Sequence, residues 1–494
     1  MDKVTIRILN REKTIETEAG TTLLKALTDH GIFLDAPCGG EGKCKKCVVI
    51  LEGKEVLACR IKAEQDMEIS LPESAREKVV QTAATSDVSF EPLRPGYQLA
   101  FDIGTTTVVG YLLDKEDGRV LCTEGILNPQ TSFGADVISR IKEAMNGSLK
   151  QLTSSIRKAL TQITLKLCDK TGIQPEEIST VCVVGNPCMQ QLFMGLDPSN
   201  LATIPFAPVL TQTKIVKAET FLPILKKADF LVVPDISGYV GADTLACVMS
   251  TQLYKSDDII LMLDIGTNGE MVLGSKERMA ACSTAAGPAL EGADIRFGMR
   301  AKDGAIDHVL AENNLLSCHV MGEGKAEGLC GSGLIDAVAK SLVTGHINEF
   351  GRIQDTEEKE GGRFIPLKDD VFLTQEDIRK VQLAKGAIAA GIKLMAEHLG
   401  ISFEEISHVY LAGAFGSYID PVSACEIGLI PEELLQKTTA IGNAAGAGSC
   451  RMAKNHQEFL QCQEVRDRIE FLELASLAEF QYEFVEQMNF PDFS

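Results

Sequence analysis

The chain opens on strict alternation. Val4-Thr5-Ile6-Arg7-Ile8-Leu9 and Lys13-Thr14-Ile15-Glu16-Thr17 place apolar residues at every second position, which predicts two half-buried strands joined by a turn. Thr21 or Thr22 can cap a helix over Leu23–His30 that stops at Gly31, and short apolar runs at Val48–Leu51, Val56–Cys59 and Met67–Leu71 predict returning strands. Residues 73–97 lose the pattern: Pro72, Pro92 and Pro95 punctuate a polar stretch, read as a linker with one short helix over Glu73–Thr82. From residue 98 the pattern repeats itself. Leu99–Val108 and Leu261–Glu270 are each an apolar strand closing on Asp-Ile-Gly-Thr, followed by a second strand (Val108–Leu113; Met271–Gly274). Each half later shows another strand with a glycine turn, Val183–Asn186 and Tyr410–Gly416, and a small-residue connection, Gly238–Thr244 and Gly442–Gly448. Gln375–Leu399 is one long helix with Ile378, Leu383, Ile388, Ile392 and Leu399 on its buried face; residues 355–370 are charged and expected to be exposed. A strand, Ile469–Leu472, and an amphipathic stretch, Leu474–Met488, end the chain.

These elements divide the 494 residues into a β-rich unit (1–72), a linker (73–97), a first lobe (98–255) and a second lobe (256–494) with an insertion at 286–374. The fold class follows: an α+β β-grasp unit, then an α/β two-lobed body. Net charge of −21 and pI near 4.9 exclude a general nucleic-acid binder. With no apolar run of 18 residues and no leader pattern, the expectation is a cytoplasmic protein without membrane spans.

Candidate chemistry lies in two places. Cys38, Cys44, Cys47 and Cys59 are spaced C-x5-C-x2-C-x11-C, three of them in a loop carrying Gly39, Gly40 and Gly42. Four thiolates so placed suit two irons and two sulfides, and the glycines let backbone N–H groups turn towards the sulfides. A structural zinc site favours two C-x2-C knuckles and there is only one; the eleven other cysteines lie singly among apolar neighbours, as reduced core thiols do. Lys43, Lys45, Lys46, Lys54, Arg60 and Lys62 crowd this stretch of an otherwise acidic chain and suggest a docking rim for an acidic partner. The second place is the duplicated turn. Glycine lets an N–H approach phosphate, Thr adds a hydroxyl, and Asp orients Mg²⁺ or water. Asp102 and Asp264 are the candidate catalytic carboxylates. Gly104, Thr105, Thr106, Gly266, Thr267 and Asn268 are candidate nucleotide contacts. Gly331 and Gly333, in a glycine turn that opens a helix over Leu334–Leu342, read equally as an anion site or as tight packing. Neither a P-loop nor a dinucleotide-binding glycine fingerprint is found.

The cysteine loop resembles that of plant-type [2Fe–2S] ferredoxins with one extra residue in the first gap. The duplicated Asp-x-Gly-Thr resembles the superfamily of actin, heat-shock chaperones and sugar and acetate kinases, in which two such turns meet across an ATP cleft; the resemblance implies that Gly413 and Gly416 lie in the adenosine-binding turn and contact the nucleotide. Both in this order resemble the reductive activators of corrinoid proteins over essentially the whole chain. That resemblance implies an ATP-hydrolysing reductase of anaerobic methyltransferase systems. It would pass a low-potential electron from a [2Fe–2S] cluster to the Co(II) state of a corrinoid methyl-carrier protein, restoring Co(I). ATP and Mg²⁺ would serve as cofactors, a ferredoxin or reductase as electron donor, and the protein would be a homodimer. Three other readings stay open on the residues: an activator of 2-hydroxyacyl-CoA dehydratases, a small-molecule kinase with a fused ferredoxin domain, and a non-catalytic actin-like scaffold.

Overall fold

The computed structural model describes residues 3–11, 13–30, 32, 34, 47–71, 88–134, 136–292, 294–313, 315–354, 358–359, 362–416 and 418–493. The expected Glu73–Thr82 helix falls outside them, as do Cys38, Cys44 and Lys43, Lys45 and Lys46.

The N-terminal unit is a five-stranded sheet in the order β2-β1-β5-β3-β4, built from β1 (Lys3–Ile8), β2 (Lys13–Glu18), β3 (Val48–Leu51), β4 (Lys54–Leu57) and β5 (Met67–Ser70). The alternation decides its face. Val4, Ile6 and Ile8 are buried together with Ile15, and Leu23, Ala26 and Leu27 of the Leu23–Asp29 helix close the core from one side. The central pair, β1 with β5, is parallel, and its neighbours are antiparallel hairpins, which is the β-grasp arrangement. Thr22 caps the helix, its Oγ1 accepting from Lys25 N at 3.3 Å.

The two lobes repeat one topology. In the first, β6 (Tyr97–Ile103), β7 (Thr107–Leu113) and β8 (Val120–Leu127) form an antiparallel meander; β9 (Ile178–Gly185) adds parallel to β6, and β11 (Asp229–Val232) parallel to β9, with β10 (Lys214–Lys217) on the edge. In the second, β12 (Ile259–Ile265), β13 (Gly269–Gly274) and β14 (Met279–Thr284) form the same meander. The chain then leaves the sheet through β15 (Ala305–Glu312), β16 (Leu315–Val320) and β17 (Gly328–Leu329), then β18 (Glu358–Lys359), β19 (Gly362–Lys368) and β20 (Val371–Thr374). It returns as β21 (Ile406–Ala412) parallel to β12 and β22 (Thr438–Gly442) parallel to β21, with β23 (Ile469–Phe471) on the far edge. Register places the functional turns. Ile103 pairs with Gly185, and Asp264 with Ala412, so each Asp turn and its neighbouring glycine turn emerge together at the carboxyl ends of parallel strands.

Two local expectations are corrected and a third is refined. In the Gln375–Leu399 helix Ile378, Ile388 and Ile392 are buried and Leu399 is half-buried, but Leu383 is 43% exposed; Val381, Ala384 and Lys385 occupy the inner face instead, at the 3.6-residue period that Leu383 misses. The charged 355–370 stretch is exposed at most of the positions described from 362 to 370, as expected, but it is not without structure: residues 362–368 form β19, paired with β20, and Ile365 is buried. The strand leading to Cys59 ends at Leu57, so Cys59 lies in the turn beyond it.

The lobes are not two separate cores. The Ala242–Thr251 helix of the first lobe crosses the Ala444–Lys454 helix of the second, and one apolar cluster runs through both, from Ala100 and Val184 to Met262 and Val272. The crossing is close because Gly448 has no side chain: a Cβ there would stand 1.9 Å from the Ala246 carbonyl oxygen.

Candidate active site

The β3–β4 hairpin carries two of the four predicted cluster ligands at its base. Ala58 N donates to the Cys47 carbonyl at 2.7 Å, which brings Cys59 next to the pair; Cys47 is buried and Cys59 nearly so. Residues 47 and 59 are therefore joined across a hairpin rather than separated by the eleven residues of sequence between them. The remaining described cysteines are buried or half-buried, and burial raises the thiols of Cys182, Cys188 and Cys425 to about 12. They are packing residues.

The first phosphate-type turn is held from beneath. Asn128 donates to the Gly104 carbonyl at 2.8 Å, and Arg140 Nη2 donates to the Thr105 carbonyl at 2.5 Å. Asn186, which caps the Pro187–Met194 helix, donates to Thr105 Oγ1 at 3.2 Å. Asn128 N donates in turn to the Thr106 carbonyl at 2.9 Å, so all three carbonyls of the Gly104–Thr106 turn are taken from the first lobe's own side. Arg140 has no solvent exposure, and burial lowers its guanidinium to about 10, still a full cation at neutral pH beneath the turn. The second turn is self-closed, Gly266 N donating to the Asn268 carbonyl at 2.9 Å.

The two aspartates lie within each other's field, and each is contacted by the helix that crosses from the opposite lobe. Asn443, the cap of the Ala444–Lys454 helix, donates to Asp102 Oδ2 at 2.8 Å; Cys247, within the Ala242–Thr251 helix, reaches Asp264 Oδ2 at 3.7 Å. Burial raises Asp102 to about 7, with the Asn443 bond opposing and Asp264 adding to the rise; burial likewise raises Asp264 to about 6. Three more acids converge on them. Asp243 is raised to about 7 by burial and by the charges of Asp264 and Asp102. Glu270 is pushed well above its usual range by burial and by Asp243 and Asp264. Glu291 is raised chiefly by burial, against hydrogen bonds from Thr267 and Thr106. Such a group of carboxylates is stabilised by a cation. Among the described residues no three His, Cys, Asp or Glu side chains stand close enough to ligate one ion.

The structure thus brings Asp102, Asp264 and the Gly104–Thr106 and Gly266–Asn268 turns to one cleft. Gly413 belongs to it as well: a Cβ there would lie 2.4 Å from Asp264 Oδ1, so the glycine is required for the approach of the Gly413–Gly416 turn. Gly333 has a packing reason of its own, because a Cβ would stand 2.1 Å from the Ile306 carbonyl on β15. Reading the sequence missed Asp243, Glu270, Glu291, Arg140, Asn128 and Asn443. Asp243 and Asn443 carried a signal, each within one of the two small-residue connections, and so did Glu270, three positions past Thr267; Arg140, Asn128 and Glu291 stood in no repeated motif.

Known proteins show the same organisation. A family model described as a 2Fe-2S iron-sulfur cluster binding domain matches residues 6–69, the RACo middle region matches 97–256, and the C-terminal domain of RACo, the ASKHA domain, matches 258–494. The chain is 31% identical to the corrinoid activation enzyme RamQ of Eubacterium limosum over 97% of this chain and 98% of that one. It is 27% identical to the [Co(II) methylated amine-specific corrinoid protein] reductase of Methanosarcina barkeri over 71% of this chain and 68% of the relative. A solved reductive activator for a corrinoid, iron-sulfur protein superposes with a TM-score of 0.72 and 27% identity, covering 100% of this chain and 99% of that one. The match to the Eubacterium limosum enzyme runs end to end through both modules, and on that ground the chain belongs to the RACo family, the reductive activators of corrinoid proteins.

Proposed function

We propose that this chain uses ATP to drive a low-potential electron into the Co(II) state of a corrinoid methyl-carrier protein, returning it to Co(I). The observation that carries the proposal is the end-to-end match with a corrinoid activation enzyme, in a chain whose two Asp turns converge on one buried cleft.

Cys38, Cys44, Cys47 and Cys59 would hold a [2Fe–2S] cluster, which when bound supplies one-electron storage at low potential. The sheltered positions of Cys47 and Cys59 at one hairpin base fit that role, since an apolar surround excludes water and stabilises the less charged state. Gly104, Thr105, Thr106, Gly266, Thr267 and Asn268 would take the phosphates, with Arg140 as the buried countercharge. Gly413 and Gly416 would border the adenosine. Asp102 and Asp264 would accept hydrogen bonds from the waters of Mg²⁺ and orient the attacking water. Glu270 and Asp243 add charge that a cation must neutralise.

ATP is needed because plant-type clusters lie near about −400 mV. A carrier one or two hundred millivolts more reducing requires on the order of 2–5 kcal/mol for one electron, at ~1.4 kcal/mol per ~59 mV. Closure of two lobes whose cores are fused through crossing helices can shift a partner-binding equilibrium by that amount. The electron donor is proposed to be a ferredoxin or reductase docking at the lysine-rich rim, the assembly a homodimer and the compartment the cytoplasm; no helix among the described residues is long and apolar enough to cross a membrane.

The test is to mix reduced protein, Mg-ATP and a Co(II) corrinoid carrier protein and follow the Co(I) absorption band. Its appearance with ATP and not with ADP supports the proposal. ATP hydrolysis stimulated by a sugar or acid, with no Co(I) band from any carrier, overturns it.

A further inference from the structure

Glu291 ends the short turn Pro288–Glu291, just beyond the β12–β14 meander, and stands between the two phosphate turns. Thr106 Oγ1 of the first lobe donates to Glu291 Oε2 at 3.4 Å, and Thr267 Oγ1 of the second donates to Glu291 Oε1 at 3.3 Å. Gly266 approaches the same carboxylate: a Cβ there would lie 3.5 Å from Oε1. One side chain therefore uses the hydroxyls of both turns, which are the groups that a transferable phosphate would need. Its surroundings are buried, Asp264 repels it, and Arg300 is the cation acting on it.

A carboxylate and a terminal phosphoryl group are both compact anions that accept hydrogen bonds from hydroxyls, and two such anions do not share one buried position. We propose that Glu291 is a built-in stand-in for the terminal phosphate of ATP. In the nucleotide-free cleft it bridges the lobes through Thr106 and Thr267, and a triphosphate must displace it to engage both hydroxyls. A diphosphate, one phosphoryl group short, leaves the bridge in place. The residue is a positioning residue that sets discrimination between nucleoside triphosphate and diphosphate. The segment that follows it would carry the displacement outward. Met299 N and Leu329 N exchange hydrogen bonds with the Leu329 and Phe297 carbonyls at 2.8 Å, and Arg296 N donates to Asp377 Oδ1 at 2.9 Å, at the capped start of the Gln375–Leu399 helix.

This inference rests on the nucleotide reading of the cleft, and the experiment separates the two. Calorimetric titration of the full chain with Mg-ADP and with a non-hydrolysable Mg-ATP analogue is performed for wild type, Glu291→Gln and Glu291→Ala. Thermal melting and the visible spectrum confirm that each variant is folded. If wild type binds neither nucleotide, the nucleotide reading itself fails. If it binds both, Glu291→Ala is expected to tighten the analogue about tenfold, the factor given by one competing net hydrogen bond, while ADP moves by less than about twofold. Glu291→Gln, which keeps an acceptor but no charge, is expected to fall between. Steady-state turnover supplies a second readout, a lower KM for ATP. Analogue affinity unchanged or weakened, equal shifts for both nucleotides, or a fall in kcat with unaltered affinity overturns the inference; the last result would make Glu291 a base or a water-orienting group.

Discussion

Asp102→Asn is expected to abolish ATP turnover and yet to raise the stability of the nucleotide-free lobes at pH 8. Burial lifts the Asp102 carboxyl from 3.8 to about 7, with the Asn443 hydrogen bond opposing and Asp264 adding to the rise. The native state thus holds a proton that the unfolded chain releases near pH 3.8. The resulting stabilisation is complete below pH 3.8 and is lost as pH rises through about 7. Above that, the folded protein carries a buried carboxylate whose cost is ~1.4 kcal/mol per pH unit of displacement, on the order of 4 kcal/mol over the whole interval. Asparagine has nearly the same shape, and its amide oxygen can still accept from Asn443 Nδ2, but it has no charge to bury. Recovery of half the cost, about 2 kcal/mol, raises the thermal midpoint by roughly 4 °C at pH 8. At pH 5.5 the wild-type carboxyl is protonated in the fold but ionised in the unfolded chain, so about half of the difference is expected to remain, and it is expected to vanish only below about pH 3.8. The assay is melting as a function of pH without nucleotide, alongside phosphate release and the visible absorption of the iron–sulfur chromophore, which is expected to stay unchanged. Wild-type turnover in the variant, or a stability difference of the same size at both pH values, refutes the reasoning.

Cys59→Ala is expected to lose or distort the iron–sulfur absorption while leaving ATP hydrolysis in place, whereas Cys330→Ala, a buried packing thiol, is expected to retain the chromophore; iron and sulfide analysis decides both. Gly448→Ala would set a Cβ 1.9 Å from the Ala246 carbonyl where the lobes cross, and is expected to cost ~3 kcal/mol or more in denaturant unfolding and to depress ATP turnover with it. The double change Lys45→Glu, Lys46→Glu is expected to slow electron delivery and flatten its salt dependence without altering the visible spectrum; stopped-flow rates at low and high salt that match wild type refute a docking role for that rim.

The sequence by itself determined what short-range chemistry writes down. Four cysteines within one loop and hairpin, a period-two strand pair and a twice-repeated Asp-Ile-Gly-Thr are local signals, because a metal cluster, a pleat or a phosphate turn is built from near neighbours in the chain. They were enough to place both modules, their order, the catalytic candidates Asp102 and Asp264, and the resemblance to corrinoid activators. Where the pattern was ambiguous, only packing could choose: Leu383 is as apolar as Ile388 but lies off the inner face, and Gly333 looks like an anion turn until the Ile306 carbonyl is seen above it. The tertiary structure alone decided the company the aspartates keep. Asn443 reaches Asp102 across 341 positions of chain, and Thr106 reaches Glu291 across 185. No local period encodes such contacts. They exist because two copies of one sheet, locked together by helices that cross at Gly448, turn the carboxyl ends of their parallel strands into a single cleft, where burial and mutual repulsion give ordinary acids their altered protonation.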